Sequence, residues 1–284
     1  MTGRNLFYAE GTMLVREIFR AAGQEIADLL YPRRCPFCHE IIPDFDALIC
    51  PDCRQFVRTH YLIREPVCKR CGKALMRMET EYCQDCLEHR RSFDGGISLF
   101  LYGTRHLPPV NGRKPGYERN SMGRSMVYFK YHNARDYADY YIEELLHYHR
   151  DQIRALQADV IIPVPVHMSR LRLRGYNQAQ VLADKLSRKT GIPVDTGLLI
   201  RKRKTAPMKE LGDAERLRNL SAAFSVTGPA PDHYYTAILI DDIYTTGATM
   251  EACTRKLKEA GIRKVYCISI CSGQVPDGRT FKGV

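Results

Sequence analysis

Eight of the eleven cysteines fall between Cys35 and Cys86, and all eight belong to C-x-x-C pairs. The pairs are Cys35 with Cys38, Cys50 with Cys53, Cys68 with Cys71, and Cys83 with Cys86. Eleven residues separate the two pairs in each half, so this region is an internal duplication. A two-residue gap lets one tight turn supply two sulfurs about 3–4 Å apart, and Zn²⁺ takes four such ligands in a tetrahedron. The repeat predicts two sequential Cys₄ sites: Cys35, Cys38, Cys50 and Cys53, then Cys68, Cys71, Cys83 and Cys86. Spacing alone leaves interleaved ligation open. Four thiolates leave no position for water, so both zinc ions are expected to be structural. So loop-rich a segment buries little apolar surface, and the metal must supply much of its folding energy. His39 and His89 lie close by but are surplus to a full cysteine set.

Cysteine pairs of this kind are metal ligands in a reducing compartment. No run approaches the roughly 18 apolar residues of a membrane span, and Glu10, Arg16, Glu17 and Arg20 interrupt the early apolar stretches. A cytoplasmic location is the expectation. The formal net charge is +11, which two zinc ions on eight thiolates would reduce to about +7. A basic chain fits a polyanionic partner, either nucleic acid or a phosphorylated substrate.

Three short apolar runs, 158–166, 237–243 and 265–270, read as strands buried on both faces. Between the first two, Asn177 to Thr190 places Ala179, Leu182, Ala183 and Leu186 on one helical face and ends at Gly191. Ala248 to Ala260 does the same with Met250, Cys253 and Leu257, before Gly261. Strands alternating with helices predict an α/β fold with a doubly wound parallel sheet. Residues 13–30 carry a helical pattern interrupted by Gly23 and stopped by Pro32. The expected organisation is an N-terminal helix over 1–30, a double zinc ribbon over 31–92 and the parallel-sheet domain over 93–284. Thr104 to Arg124 and Arg201 to Asn219 are polar, basic stretches that read as surface loops.

The segment Ile238 to Thr249, ILIDDIYTTGAT, carries the chemistry. An apolar strand delivers Asp241 and Asp242 to its end, a Thr245-Thr246-Gly247 turn follows, and a helix begins at Ala248. Backbone N–H groups of that turn and helix start form an anion nest suited to a 5-phosphate. The hydroxyls of Thr245, Thr246 and Thr249 add donors, and Gly247 permits close backbone approach. The two carboxylates suit ribose hydroxyls, with Mg²⁺ offsetting their mutual repulsion.

This segment resembles the phosphoribosyl-pyrophosphate signature of type I phosphoribosyltransferases. The resemblance implies that Asp241 and Asp242 are the catalytic pair holding the ribose hydroxyls, with Thr245, Thr246, Gly247, Ala248 and Thr249 on the 5-phosphate. Purine-using members place a carboxylate base where this chain has Thr245, so purine salvage is disfavoured.

The run Val160 to Ala183, with Arg172, Arg174, Gly175, Tyr176, Asn177 and Gln178, is similar to the ComF family of competence-associated proteins. That likeness implies a pyrophosphate loop over Pro163 to Val166, including Val164 and Pro165, with Arg170, Arg172 and Arg174 as cations. It continues through Arg201 to Phe224 as a flexible lid, with Thr205, Leu211, Glu215, Arg216, Asn219 and Phe224 in the family's order. It reaches nearly everything from Tyr31 to Ser272, including the two cysteine ribbons. Two departures stand out: Met208 where glutamine is usual, and the long 104–124 stretch before Tyr128-Phe129-Lys130-Tyr131.

The family likeness implies binding of phosphoribosyl pyrophosphate or a related ribose phosphate with Mg²⁺. It also implies a role in natural competence and DNA uptake, with single-stranded DNA and a competence helicase as partners. Tyr117, Tyr128 and Tyr131 are candidate base-stacking residues. The alternative is an active phosphoribosyltransferase, a pentosyl glycosyltransferase of nucleotide metabolism, with a non-purine acceptor. The sequence names no such acceptor.

Overall fold

The computed structural model describes residues 32–44, 46–75, 78–103, 122–202 and 222–273. The expected N-terminal helix, most of the 104–124 stretch with Tyr117, and the 203–221 part of the expected Arg201–Phe224 lid, with Thr205 and Met208, lie outside these residues. Among the described residues, no helix is long and apolar enough to cross a membrane.

Four strands form one parallel sheet: β1 (Gly95–Tyr102), β2 (Val160–Pro163), β5 (Thr236–Tyr244) and β6 (Lys264–Gly273), in the order β1-β6-β5-β2. Strands β3 (Leu199–Arg201) and β4 (Phe224–Val226) form a separate antiparallel pair. The helices are α1 (Pro51–His60), α2 (Gln84–Glu88), α3 (Met122–Tyr131), α4 (Tyr137–Ala155), α5 (Met168–Arg174), α6 (Gln178–Thr190) and α7 (Ala248–Glu259). The expected parallel sheet is present, with β1 as a strand that the apolar runs of the sequence did not single out.

Alternation along the central strands separates two cores. Ile238, Ile240, Ile268 and Ile270 join Leu182, Ala183 and Leu186 of α6 and the Tyr-rich face of α4. Ala237, Leu239, Val265 and Cys267 face the other way, toward Met250, Cys253 and Leu257 of α7 and the β3–β4 pair. Both faces are covered, which is why the strands read as unbroken apolar runs. Helix α6 starts where the Asn177 side chain accepts from the Ala179 N–H at 3.1 Å.

The two cysteine ribbons straddle the β1 edge of this sheet. The first shares a core with α4: Phe37 meets the ring of Tyr140 edge-on at 5.7 Å, and Arg58 forks onto buried Glu144 at 2.9 and 2.6 Å. The second packs in the opposite core, with Cys68, Cys71, Cys83 and Phe93 beside Tyr244. The segment joining them, Tyr61–Ile63, pairs antiparallel with β1. The Ile63 N–H donates to Leu99 O at 2.9 Å, and the Leu101 N–H donates to Tyr61 O at 2.7 Å. This covers an edge that would otherwise offer unpaired backbone groups. Gly72 and Gly96 allow the second ribbon to lie on β1, because a side-chain carbon at either would run into backbone within 3 Å.

Candidate functional site

In each ribbon the four cysteines converge as the sequential reading predicts: Cys35, Cys38, Cys50 and Cys53 form one tetrad, and Cys68, Cys71, Cys83 and Cys86 the other. All sulfurs within a tetrad lie within 4.8 Å of one another, so the interleaved alternative is ruled out. The separations of 3.7 Å for Cys38–Cys50 and 3.6 Å for Cys71–Cys83 match the roughly 3.8 Å of a tetrahedron with Zn–S near 2.3 Å. Four thiols this close cannot ionise together without a cation. Hydrogen bonding from Cys53 draws Cys35 down to about 4, while Cys53 is pushed up in return. The donor set fits Zn²⁺, and four cysteine ligands close each site to water. These are two structural zinc sites. His39 stands outside its tetrad, its ring 3.6 Å from that of Tyr128.

The second site lies at the carboxyl ends of β2 and β5, which pair side by side with Pro163 opposite Ile240. Open parallel sheets bind ligands at such strand ends. The pleat of β5 sends Asp241 and Asp242 to opposite sides. Asp242 is buried and ion-paired to Lys130 of α3 at 3.0 Å. Burial alone would lower Lys130, but the two aspartates outweigh it and hold the lysine above its ordinary value. Asp241 faces the β3–β4 side, toward Arg201 and Cys253, and its Oδ1 accepts the Asp242 N–H at 2.9 Å. Burial, then the neighbouring charge of Asp242, raises the Asp241 carboxyl from 3.8 to about 7. Burial, then Arg170, lowers Arg201, whose guanidinium lies 5.0 Å above the Phe224 ring.

Beyond Tyr244 the chain turns through exposed Thr245 and Thr246 into Gly247, whose φ of +78° is left-handed, before α7 begins at Ala248. A side chain at position 247 would collide with the Tyr244 hydroxyl, so glycine is required twice over. Ala248 and Thr249 open the helix, whose first N–H groups have no partner within it. Beside this turn, the Val164 N–H donates to Ile240 O at 2.9 Å, and Asn177 Nδ2 donates to Val164 O at 3.1 Å. Val164 is buried and Pro165 half-buried. The three arginines expected to line this loop diverge. Arg170 is exposed within electrostatic reach of Arg201, and Arg172 is exposed. Arg174 instead donates to Gln178 Oε1 at 2.8 Å and to the Tyr131 hydroxyl at 2.9 Å.

Sequence reasoning missed Lys130 as a partner of the aspartates, Arg201 as the neighbour of Asp241, and two ribbon residues, Lys73 and Arg91, that reach the 245–247 turn. Lys130 lies in the Tyr128–Tyr131 run, but nothing in its spacing points to a strand more than a hundred residues away.

Two cysteine tetrads beside a four-stranded parallel sheet, with an Asp-Asp-turn-helix at the strand ends, make up the arrangement among the described residues. The double zinc ribbon family model matches residues 26–87. Competence protein F of Haemophilus influenzae is 27% identical over 82% of this chain and 93% of its own. The DNA utilization protein YhgH of Escherichia coli is 26% identical over 78% of this chain and 89% of its own. The chain is similar along most of its length to the ComF-like competence and DNA utilization proteins. Orotate phosphoribosyltransferase of Aeropyrum pernix overlaps 58% of this chain and 84% of its own at 14% identity, with a TM-score of 0.32. So shallow an overlap adds no weight to the strand order and loop geometry.

Proposed function

We propose that this ComF-like phosphoribosyltransferase-domain protein binds phosphoribosyl pyrophosphate with Mg²⁺ at the ends of β2 and β5, and that it serves DNA uptake or use. The observation that carries the reading is the Asp241–Thr249 arrangement: two carboxylates followed at once by an anion-receiving turn at the start of a 12-residue helix. The carboxylates take ribose hydroxyls, the N–H groups and hydroxyls of 245–249 take the 5-phosphate, and Val164–Pro165 with Arg170 and Arg172 take the pyrophosphate. Mg²⁺ would supply the charge that lets the pyrophosphate approach two aspartates. Calorimetric titration with phosphoribosyl pyrophosphate and Mg²⁺ is expected to show one site per chain. Wild-type protein that takes up none would overturn the reading.

The DNA role draws on the competence and DNA utilization roles that the relatives' names state, and on one surface. Tyr131 is 54% exposed beneath the Arg174 guanidinium, 4.8 Å from its ring centroid. Tyr128 lies next to it, between the rings of His39 and His132 and under Arg124. Aromatic faces interleaved with cations suit single-stranded DNA, since stacking is sequence-tolerant and the cations meet phosphates. Fluorescence anisotropy with a labelled oligothymidylate should show binding that weakens steeply with salt. Affinity indifferent to salt would exclude this mode.

A further inference from the structure

Ordered backbone at the 245–247 turn has to come from somewhere. Thr245 and Thr246 are exposed. What holds the turn lies in the second ribbon. Lys73 Nζ donates to Thr245 O at 3.1 Å while paired to Asp85 at 2.8 Å. One Arg91 NH2 donates to Thr246 O at 2.6 Å and to Asp85 O at 3.2 Å. Both side chains are nearly removed from solvent, at 2% and 8% exposure. The ribbon is in turn clamped to the helix behind the turn, because the Ser92 N–H and hydroxyl both donate to the buried Glu251 carboxylate at 2.7 Å.

Peptide planarity gives these contacts a consequence for binding. In a trans peptide the C=O and the following N–H point in opposite directions. Turning the carbonyls of Thr245 and Thr246 down onto Lys73 and Arg91 therefore turns the N–H groups of Thr246 and Gly247 up, away from the ribbon. Among the described residues, neither N–H has a protein acceptor. Two buried cations thus hold two donors in the direction an anion must approach, at no cost of reorganisation on binding.

We propose that Lys73 and Arg91 are positioning residues of the anion turn, which makes the second zinc ribbon a working part of the ligand site. The inference rests on the ribose-phosphate reading of 241–249. The test measures phosphoribosyl pyrophosphate affinity, zinc content and melting temperature for Lys73→Met, Arg91→Met and the conservative Lys73→Arg and Arg91→Lys. Each methionine variant is expected to weaken binding about tenfold with two zinc ions retained, as the loss of one well-directed hydrogen bond implies. Lys73→Arg should recover most of it, and Arg91→Lys, with its shorter reach, only part. A merely structural role would lower the melting temperature of the methionine variants with affinity unchanged, and that result overturns the proposal. If wild-type protein itself binds none, the ribose-phosphate reading falls instead. Should a methionine variant lose zinc or fail to fold, Arg91→Lys decides, read by amide exchange across 245–249. Its shorter reach should speed that exchange at least threefold, and unchanged exchange would overturn the proposal.

Discussion

Raising the pH from 6 to 8 is expected to tighten phosphoribosyl pyrophosphate binding about tenfold through Asp241 alone. Burial, with Asp242 adjacent, holds this carboxyl at about 7 in the folded chain. A ribose hydroxyl donates a hydrogen bond, so the ionised carboxylate, a pure acceptor, is the binding form. Roughly one Asp241 in eleven is ionised at pH 6 and ten in eleven at pH 8. Calorimetry in two buffers of different ionisation enthalpy should show about half a proton released per ligand at pH 7. The ligand's own phosphate titrates near pH 6 and adds a slope of its own. Asp241→Asn separates the two, because it removes only the share belonging to the protein. The ligand-free protein should respond in the opposite sense. Its folded pKa is raised, so the folded chain binds more protons than the unfolded chain between pH 3.8 and about 7, and stability falls as pH rises through that window. Asp241→Asn should then stabilise the ligand-free protein by about 4 kcal/mol at pH 8 and by only about 0.5 kcal/mol near pH 4. Identical pH slopes for wild type and Asp241→Asn, in binding and in urea unfolding, would refute this reasoning.

Lys130→Met leaves the buried Asp242 carboxylate without its 3.0 Å partner and should cost about 3 kcal/mol in urea unfolding at pH 7. A loss below about 0.5 kcal/mol would mean that the pair is solvated. Metal analysis should return two zinc ions per chain. Cys53→Ser should lower that number by one and Cys253→Ala should leave it unchanged, since only the former belongs to a tetrad. Tyr131→Ala should weaken oligothymidylate binding by about 1–3 kcal/mol, while Arg174→Gln should also flatten the salt dependence by about one phosphate contact. Equal loss of affinity for both, with no change in salt slope, would mean that Arg174 serves only to hold Tyr131.

The parts of this molecule with local causes were legible in its sequence. The tetrads follow from ligand spacing, helix α6 from an asparagine cap and an apolar face, and the Asp241–Thr249 turn from residues consecutive in the chain. Strand β1 was not, because Gly95 and Gly96 precede its apolar run and its partners β6 and Tyr61–Ile63 lie far off in sequence or across a ribbon. Helix α4 escaped for another reason. Its buried face is built from Tyr137, Tyr140 and Tyr141 as well as aliphatics, and tyrosines are easily discounted as surface residues. The contacts of Lys130 with Asp242, and of Lys73 and Arg91 with the turn, join positions more than a hundred residues apart. No local pattern encodes such pairs.

The strip of backbone laid along β1 by Tyr61–Ile63 bears on how the chain matures as it is synthesised. Strand β1 leaves the ribosome soon after its antiparallel neighbour, whereas its parallel neighbour β6 follows some 160 residues later. At 5–20 residues per second that delay is on the order of ten to thirty seconds. Throughout it, the metal-clipped ribbons give β1 a template on one side, so the nascent chain holds a seeded strand in place of a bare apolar ribbon. A fragment cut at residue 93 would have no such chaperone within its own chain. It would present β1 to other molecules instead, and inclusion bodies are the expected product of its expression.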